Sequence, residues 1–181
     1  MGKTRTPAPP DLNGLEQAAL HYLERYSNSA AGLRRVLRRR VHKAARLGQG
    51  QVEDGNALIE TVIGRLAKSG MLNDGRYAEF RAASLARRGG SLSIIRRDLR
   101  ARGVAAELIE AAVDALKRET GGGTNDETDL AAALALAKRR RLGPFRSPGV
   151  RAAYRMRDLA ALGRAGFAYE IAKRVIDGEG E

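Results

Sequence analysis

The stretch at residues 29–40 reads SAAGLRRVLRRR, and a closely similar stretch at residues 91–102 reads SLSIIRRDLRAR. The two share the pattern Ser-x-x-x-(Leu/Ile)-Arg-Arg-x-Leu-Arg-x-Arg at an offset of 62 residues. When residues are placed about 100° apart on a helix, the leucines and isoleucines fall on one face and most of the arginines on the other. Each stretch therefore predicts a helix that buries an apolar stripe and exposes an arginine stripe.

A fainter third copy extends the repeat toward the end of the chain. Leu99-x-x-x-Gly103-Val104 parallels Leu162-x-x-x-Gly166-Phe167 at an offset of 63 residues. In each copy the glycine is expected to end one helix, and the apolar residue after it to pack where the next begins. Repeats of this size cannot bury a helix face alone and are expected to stack on one another. The pattern predicts an elongated tandem array of about three repeats with three helices each, or nine helices.

The fold class follows from the distribution of proline and glycine. The five prolines lie near the ends of the sequence, and residues 11–143 contain none. This proline-free run is rich in Ala, Leu, Arg and Glu, which favours helices, and segments with the alternating pattern of strands are missing. We therefore predict an all-α protein. The expected segments are a disordered tail (1–13), helical repeats 1 (14–72) and 2 (73–119), a Gly-rich linker (120–125) and helical repeat 3 (126–178).

Polar residues ahead of the apolar stretches mark the expected helix starts. The candidate N-caps are Asn73 or Asp74, Ser91 or Ser93, and Thr124, which has the Thr-x-x-Glu spacing of a capping box with Glu127. In the helix that follows Asp74, Tyr77 and Phe80 are expected to be core residues.

Charge and composition favour a binding module over an enzyme. Lys and Arg number 33 against 21 Asp and Glu, so the net charge is +12, which suits a polyanion or an acidic protein surface. Cysteine is absent, which excludes disulfides and thiolate zinc sites. The two histidines, His21 and His42, lack the spacing of metal ligands, and no nucleophile–base constellation is visible. No apolar leader or membrane-spanning stretch is present in the sequence, so we expect a cytoplasmic protein. Because ligand spacing is missing as well, we expect no metal or cofactor.

The basic residues supply the candidate binding site. The candidate contact residues for a partner or DNA are Arg34, Arg35, Arg38, Arg96, Arg97, Arg100, Lys138, Arg139 and Arg140. The alternative for the arginine stripes is a solvated helix face, but their recurrence in two repeats favours the contact role. The run from Lys138 to Arg141 is either a nucleic-acid patch or a set of cations at a helix C-terminus, where the helix dipole favours them.

The stretch from Leu72 to Val113 resembles the RecX family, bacterial regulatory proteins of the RecA recombinase. The resemblance is carried by Leu72-Asn-Asp-Gly-Arg-Tyr-Ala78, by Arg88-Gly89, by Ile95-x-x-x-Leu99-x-x-x-Gly103-Val104 and by Leu108-Ile109. Ser29 to Leu37 and Arg164 to Phe167 are similar to the flanking repeats of the family, so the resemblance spans about residues 15–177.

The resemblance implies a curved array of three-helix repeats and a non-catalytic regulator. We also expect the protein to be a monomer. Its partner would be RecA or the RecA–DNA filament, and its effect mainly inhibition of ATP hydrolysis, strand exchange and the co-protease function. The alternative is a general basic helical module that binds nucleic acid without a recombinase partner.

Overall fold

The structure is a computed structural model that describes residues 11–48, 52–121 and 123–178. Within these residues it contains nine α-helices, two short 3₁₀ turns and no strand, which confirms the all-α prediction. The helices are α1 (Leu12–Leu23), α2 (Ala30–Arg46), α3 (Val52–Lys68), α4 (Asp74–Arg87), α5 (Leu92–Ala101), α6 (Ala106–Glu119), α7 (Asn125–Arg140), α8 (Arg151–Arg164) and α9 (Tyr169–Asp177). The 3₁₀ turns, Gly143–Phe145 and Pro148–Val150, connect α7 to α8.

The chain forms two compact units. The first comprises the chain up to Tyr77 together with Arg102–Val104, and the second comprises Ala78–Ala101 and the chain from Ala105 onward. Residues 1–10 of the predicted tail lie outside the described residues, and α1 begins at Leu12. The boundaries drawn between the three repeats remain a prediction.

The first unit packs α1, α2 and α3 around one apolar core. The arginine-rich α2 turns Leu33 and Leu37 fully inward, as its periodicity predicts. The core consists of Leu15, Ala19, Leu33, Leu37, Val41, Ile59, Val62, Ile63, Leu66 and Leu72.

The second unit also packs its helices through their apolar faces. On α5, Leu92, Ile95 and Leu99 are buried, as predicted. Around α7, α8 and α9 the core consists of Ala133, Leu136, Ala137, Leu142, Leu159, Leu162, Phe167, Ile171, Ala172, Val175 and Ile176.

A buried serine begins the arginine-bearing helix in each unit. The Oγ atom of Ser29 accepts from the Gly32 amide (3.0 Å) and donates to the carbonyl of Arg102 (2.7 Å). In the second unit the Oγ atom of Ser91 accepts from the Ile94 amide (3.3 Å). Its backbone N–H donates to the carbonyl of Ala165 (3.1 Å). The carbonyl precedes a glycine in both cases, and we call this arrangement the serine joint.

An aspartate completes each serine joint. The Ala30 amide donates to Asp74 Oδ1 at 2.7 Å, and the Leu92 amide donates to Asp129 Oδ1 at 2.8 Å. Both amides lie in the first turn of a helix, where no intrahelical acceptor exists. The aspartates therefore satisfy donors that the serine alone leaves unpaired.

Three of the sequence expectations are resolved at the helix starts. Asn73, and not Asp74, caps α4, since its Oδ1 accepts from the Arg76 amide at 2.9 Å. Ser91, and not Ser93, caps α5. The capping box of Thr124 and Glu127 is confirmed.

The expectation that Phe80 belongs to the core is wrong. Tyr77 is buried as expected, but the Phe80 side chain is exposed. The buried face of α4 is marked by Ala78 and Ala82, which lie on the opposite side of the helix from Phe80.

A buried carboxylate holds the connection between α7 and α8. Asp158 in α8 is 1% exposed and accepts from the Gly143 amide at 2.9 Å. The Arg146 guanidinium donates to both Asp158 oxygens, at 2.6 and 2.7 Å, and stacks on the Tyr154 ring 4.4 Å from its centroid. The carboxylate thus fixes both ends of the first 3₁₀ turn.

Among the described residues, none of the helices combines the length and apolar character needed to cross a bilayer.

Candidate partner-binding site

The predicted arginine stripe of α2 divides into one paired and two unpaired side chains. Arg34 Nε donates to both carboxylate oxygens of Glu60 in α3 at 2.9 Å. Arg35 and Arg38 are exposed, and neither side chain forms a hydrogen bond or ion pair with another described residue. Because Arg34 joins two helices of one unit, its guanidinium already has a partner, while those of Arg35 and Arg38 are available.

The stripe of α5 divides in the same way. Arg96 donates to both oxygens of Glu110 in α6, at 2.8 to 3.1 Å. The hydrogen bond from Arg96 lowers the pKa of Glu110, and the same contact raises the pKa of Arg96. Arg97 and Arg100 are exposed and make no hydrogen bond to the described part of the chain.

The equivalent positions of the two copies therefore have equivalent environments. In each, the first arginine of the pattern pairs with a glutamate of the following helix, and the second and fifth residues of the run RRxLR point to solvent. A guanidinium in solvent can donate in pairs to carboxylates or phosphates. The unpaired members, Arg35 and Arg38 in the first unit and Arg97 and Arg100 in the second, form what we call the arginine pairs.

The predicted basic run of α7 also divides by role. Arg139 donates to the backbone carbonyls of Arg87 (3.0 Å) and Arg88 (2.7 Å). Lys138 and Arg140 lie in the last turn of α7 and are exposed. Arg139 therefore supports the C-terminal end of α4, while its neighbours remain available.

Sequence reasoning missed the pairing partners of these arginines. In the sequence, Glu60 and Glu110 carry no signal beyond lying on an exposed helix face, and Arg87–Arg88 stands out only as part of a glycine turn. The basic dipeptide Arg87–Arg88 is the one signal for the partner of Arg139. The sequence alone does not show that it lies beside α7, because that contact spans 52 residues.

The described residues contain no group of three or more His, Asp or Glu side chains placed to hold a metal ion. The only described histidine contact to a carboxylate is a surface one, between His21 Nδ1 and Glu24 at 3.7 Å. The site is therefore one of hydrogen-bond donors and positive charge.

Comparisons with known proteins agree with this architecture. The model of the family described as RecX, second three-helix domain, matches residues 73–113. Regulatory protein RecX of Myxococcus xanthus is 42% identical over 164 residues, which are 90% of this chain and 84% of the relative. Regulatory protein RecX of Agrobacterium fabrum is 28% identical over 171 residues, which are 94% of this chain and 85% of the relative.

Solved structures show the same fold. The crystal structure of RecX from Lactobacillus salivarius superposes with a TM-score of 0.60 at 19% identity, covering 92% of this chain and 95% of that one. A crystal structure of regulatory protein RecX gives a TM-score of 0.59 at 17% identity, covering 92% of this chain and 71% of that one. The identity to the Myxococcus protein over most of both chains confirms the resemblance seen in the sequence, and the chain belongs to the RecX family of regulatory proteins.

Proposed function

We propose that this protein is a non-catalytic regulator that binds the RecA recombinase or its DNA filament and mainly inhibits ATP hydrolysis, strand exchange and the co-protease function. Membership of the RecX family supports this proposal. The observation that carries the choice of surface is the recurrence of the arginine pairs in two copies of one helix pattern.

The chemistry of the arginine pairs suits a partner that is itself repetitive and acidic. Two guanidinium groups three residues apart on a helix can donate to neighbouring carboxylates or phosphates. A filament offers equivalent acceptors at regular intervals, so each of the two pairs would meet acceptors of the same kind. In each copy the paired arginine, Arg34 or Arg96, holds the helix in place through its glutamate.

Replacing all four residues of the arginine pairs with alanine is expected to weaken inhibition without unfolding the chain. The measurement is the single-strand-DNA-dependent ATPase rate of the cognate recombinase, with the protein titrated in below stoichiometric amounts. We expect the half-inhibitory concentration to rise about tenfold, the change that corresponds to roughly 1.4 kcal/mol of lost binding.

The matched control removes the same charge elsewhere. Arg25, Arg118, Arg164 and Arg174 are exposed, and their side chains form no hydrogen bond with other described residues. Their replacement with alanine should leave inhibition close to that of the unchanged protein. Equal weakening in the two variants would show that overall charge, and not the arginine pairs, governs the effect.

The general nucleic-acid-binding module remains the second candidate, because the chain also carries a basic cluster at the ends of α4 and α7. The same titration separates the two. Unchanged ATP hydrolysis, together with tight binding of the protein to DNA alone, would favour the general module.

A further inference from the structure

Two basic runs that are distant in sequence lie side by side in the second unit. One is Arg87–Arg88 at the end of α4, and the other is Lys138–Arg141 at the end of α7. The Arg139 guanidinium joins them, with Nη1 3.0 Å from the Arg87 carbonyl oxygen and Nη2 2.7 Å from that of Arg88. We call this arrangement, which consists of Arg87, Arg88, Lys138, Arg139, Arg140 and Arg141, the α4–α7 basic cluster.

None of the cations in the cluster has an acidic partner among the described residues, in contrast to the arginines of the unit that pair with a carboxylate. The six side chains of the cluster are exposed. Elsewhere in the unit the pairs are Arg81–Asp98, Arg96–Glu110, Arg146–Asp158 and Arg155–Asp177. Like charges held together oppose the compact state, so this concentration of unpaired cations costs folding free energy.

The helix dipole explains only part of the cluster. Lys138 and Arg140 lie in the last turn of α7, where the dipole favours cations. Arg141 is different, because it caps α7 in the left-handed conformation (φ 54°, ψ 54°) and is the one non-glycine residue with positive φ in the described ranges. Glycine is the usual residue at such a position, since it has no Cβ to strain the backbone. An arginine at this position adds a sixth cation to the cluster, although its left-handed backbone costs conformational energy.

We propose that the α4–α7 basic cluster binds the phosphodiester backbone of nucleic acid directly, without the recombinase. Exposed guanidinium groups donate well to phosphate oxygens, and a nucleic-acid strand offers phosphates in an unbroken row. Arg139 acts as a positioning residue, because two of its guanidinium N–H groups donate to the α4 carbonyls. Aromatic residues make up only 4% of the chain, so base stacking contributes little and binding is independent of sequence.

The test measures fluorescence anisotropy of a labelled DNA oligonucleotide with the full chain over a range of salt concentrations. Single-stranded and double-stranded oligonucleotides form separate arms, and no recombinase is present. The variant carries Arg88→Ala, Arg140→Ala and Arg141→Gly, which leaves Arg139 in place. We expect affinity at low salt to fall at least tenfold, and the slope of log K against log salt to fall by about one for each phosphate that the variant no longer neutralises.

The matched control carries Arg118→Ala, Arg164→Ala and Arg174→Ala, which remove the same charge from exposed positions of the same unit. It should retain most of the affinity and of the salt slope. If this control weakens DNA binding as much as the cluster variant does, the proposal is overturned. It is also overturned if a poly-glutamate peptide competes better than inorganic polyphosphate of equal charge, because an acidic protein would then be the better ligand.

The single substitution Arg141→Gly distinguishes a role of Arg141 in DNA binding from a role in folding. The substitution removes the left-handed strain, so the melting temperature should stay constant or rise, while DNA affinity falls severalfold. A fall in both stability and affinity, or in neither, would contradict the assignment. Because recombinase is absent from these assays, failure here would leave the proposed inhibition through the arginine pairs untouched.

Discussion

Replacing Asp158 with alanine is expected to lower the free energy of unfolding of the second unit by about 3–5 kcal/mol, the usual result of removing one partner from a buried ion pair. The substitution removes every acceptor that the carboxylate supplies. It leaves the buried Gly143 amide unpaired and the Arg146 guanidinium without its counter-ion. Urea unfolding followed by circular dichroism measures the decrease.

The matched control is Asp177→Ala at the end of α9. Asp177 receives the same two-point contact from Arg155, at 2.7 and 2.8 Å, but both side chains of this pair are more exposed to water. Solvent screens such a pair, so its removal should cost much less than that of Asp158. Equal destabilisation in the two variants would show that burial of Asp158 adds nothing to its contact with arginine.

The Asp158 contact also makes the stability of the second unit depend on pH in the acidic range. The hydrogen bond from Arg146 lowers the pKa of Asp158 below its usual 3.8, against the opposing effect of burial. Because the folded pKa is the lower one, this stabilisation is complete above pH 3.8 and is lost as the pH falls through the folded value. An Asp158→Asn variant should lose less stability between about pH 5 and pH 2 than the unchanged chain, by equilibrium unfolding at each pH.

Replacing Gly166 with alanine should have the next largest effect, a decrease of about 3 kcal/mol in the free energy of unfolding, because a left-handed backbone and an overpacked core are both costly. Gly166 has φ +87°, and a Cβ there would overlap Ile94 Cγ1 and lie 2.5 Å from Ser91 Oγ. The added methyl group would therefore push against the capping serine as well as the apolar side chain. Thermal and urea unfolding report the change.

Gly163→Ala is the control for this prediction. Gly163 lies within α8, and a Cβ there would meet nothing within 4 Å. Alanine at an open helical position stabilises by about 0.5–1 kcal/mol relative to glycine, so the two substitutions should act in opposite directions. A Gly166→Ala protein as stable as the unchanged chain would mean that the serine joint yields easily to extra volume.

The periodic parts of this fold can be predicted from the sequence, because a helix that buries one face repeats its apolar residues at fixed spacing. Leu33, Leu37, Ile95 and Leu99 are buried for this reason. Phe80 shows the limit of that reasoning. The buried face of α4 carries two small alanines, whereas the large Phe80 side chain lies on the exposed face. A prediction that places the larger apolar residue in the core therefore chooses the wrong side of this helix.

The candidate site is less predictable, since long-range partners decide which arginines are available. Nothing in the spacing of Arg34 and Arg35 tells which one meets Glu60, 26 residues away from Arg34. Likewise the role of Arg139 depends on carbonyls that lie more than fifty residues earlier in the chain. The arginine stripes are visible in the sequence, but only the fold distinguishes the arginines that pair with glutamates from those that face solvent.

The serine joint also constrains how a chain of this kind can grow by gene duplication. The segment containing α4, α5 and α6 carries both halves, an acceptor half in Asp74 and Arg102 and a donor half in Ser91 and Leu92. A duplicate of that segment placed next to the original would meet a matching half on either side. Helix α8 starts after Val150 without a side-chain cap, and the position equivalent to Ser91 is Tyr154, inside the helix. A copy placed after α8 would therefore meet no equivalent serine in that helix, whereas a copy of α4–α6 beside the original would meet both halves of the joint.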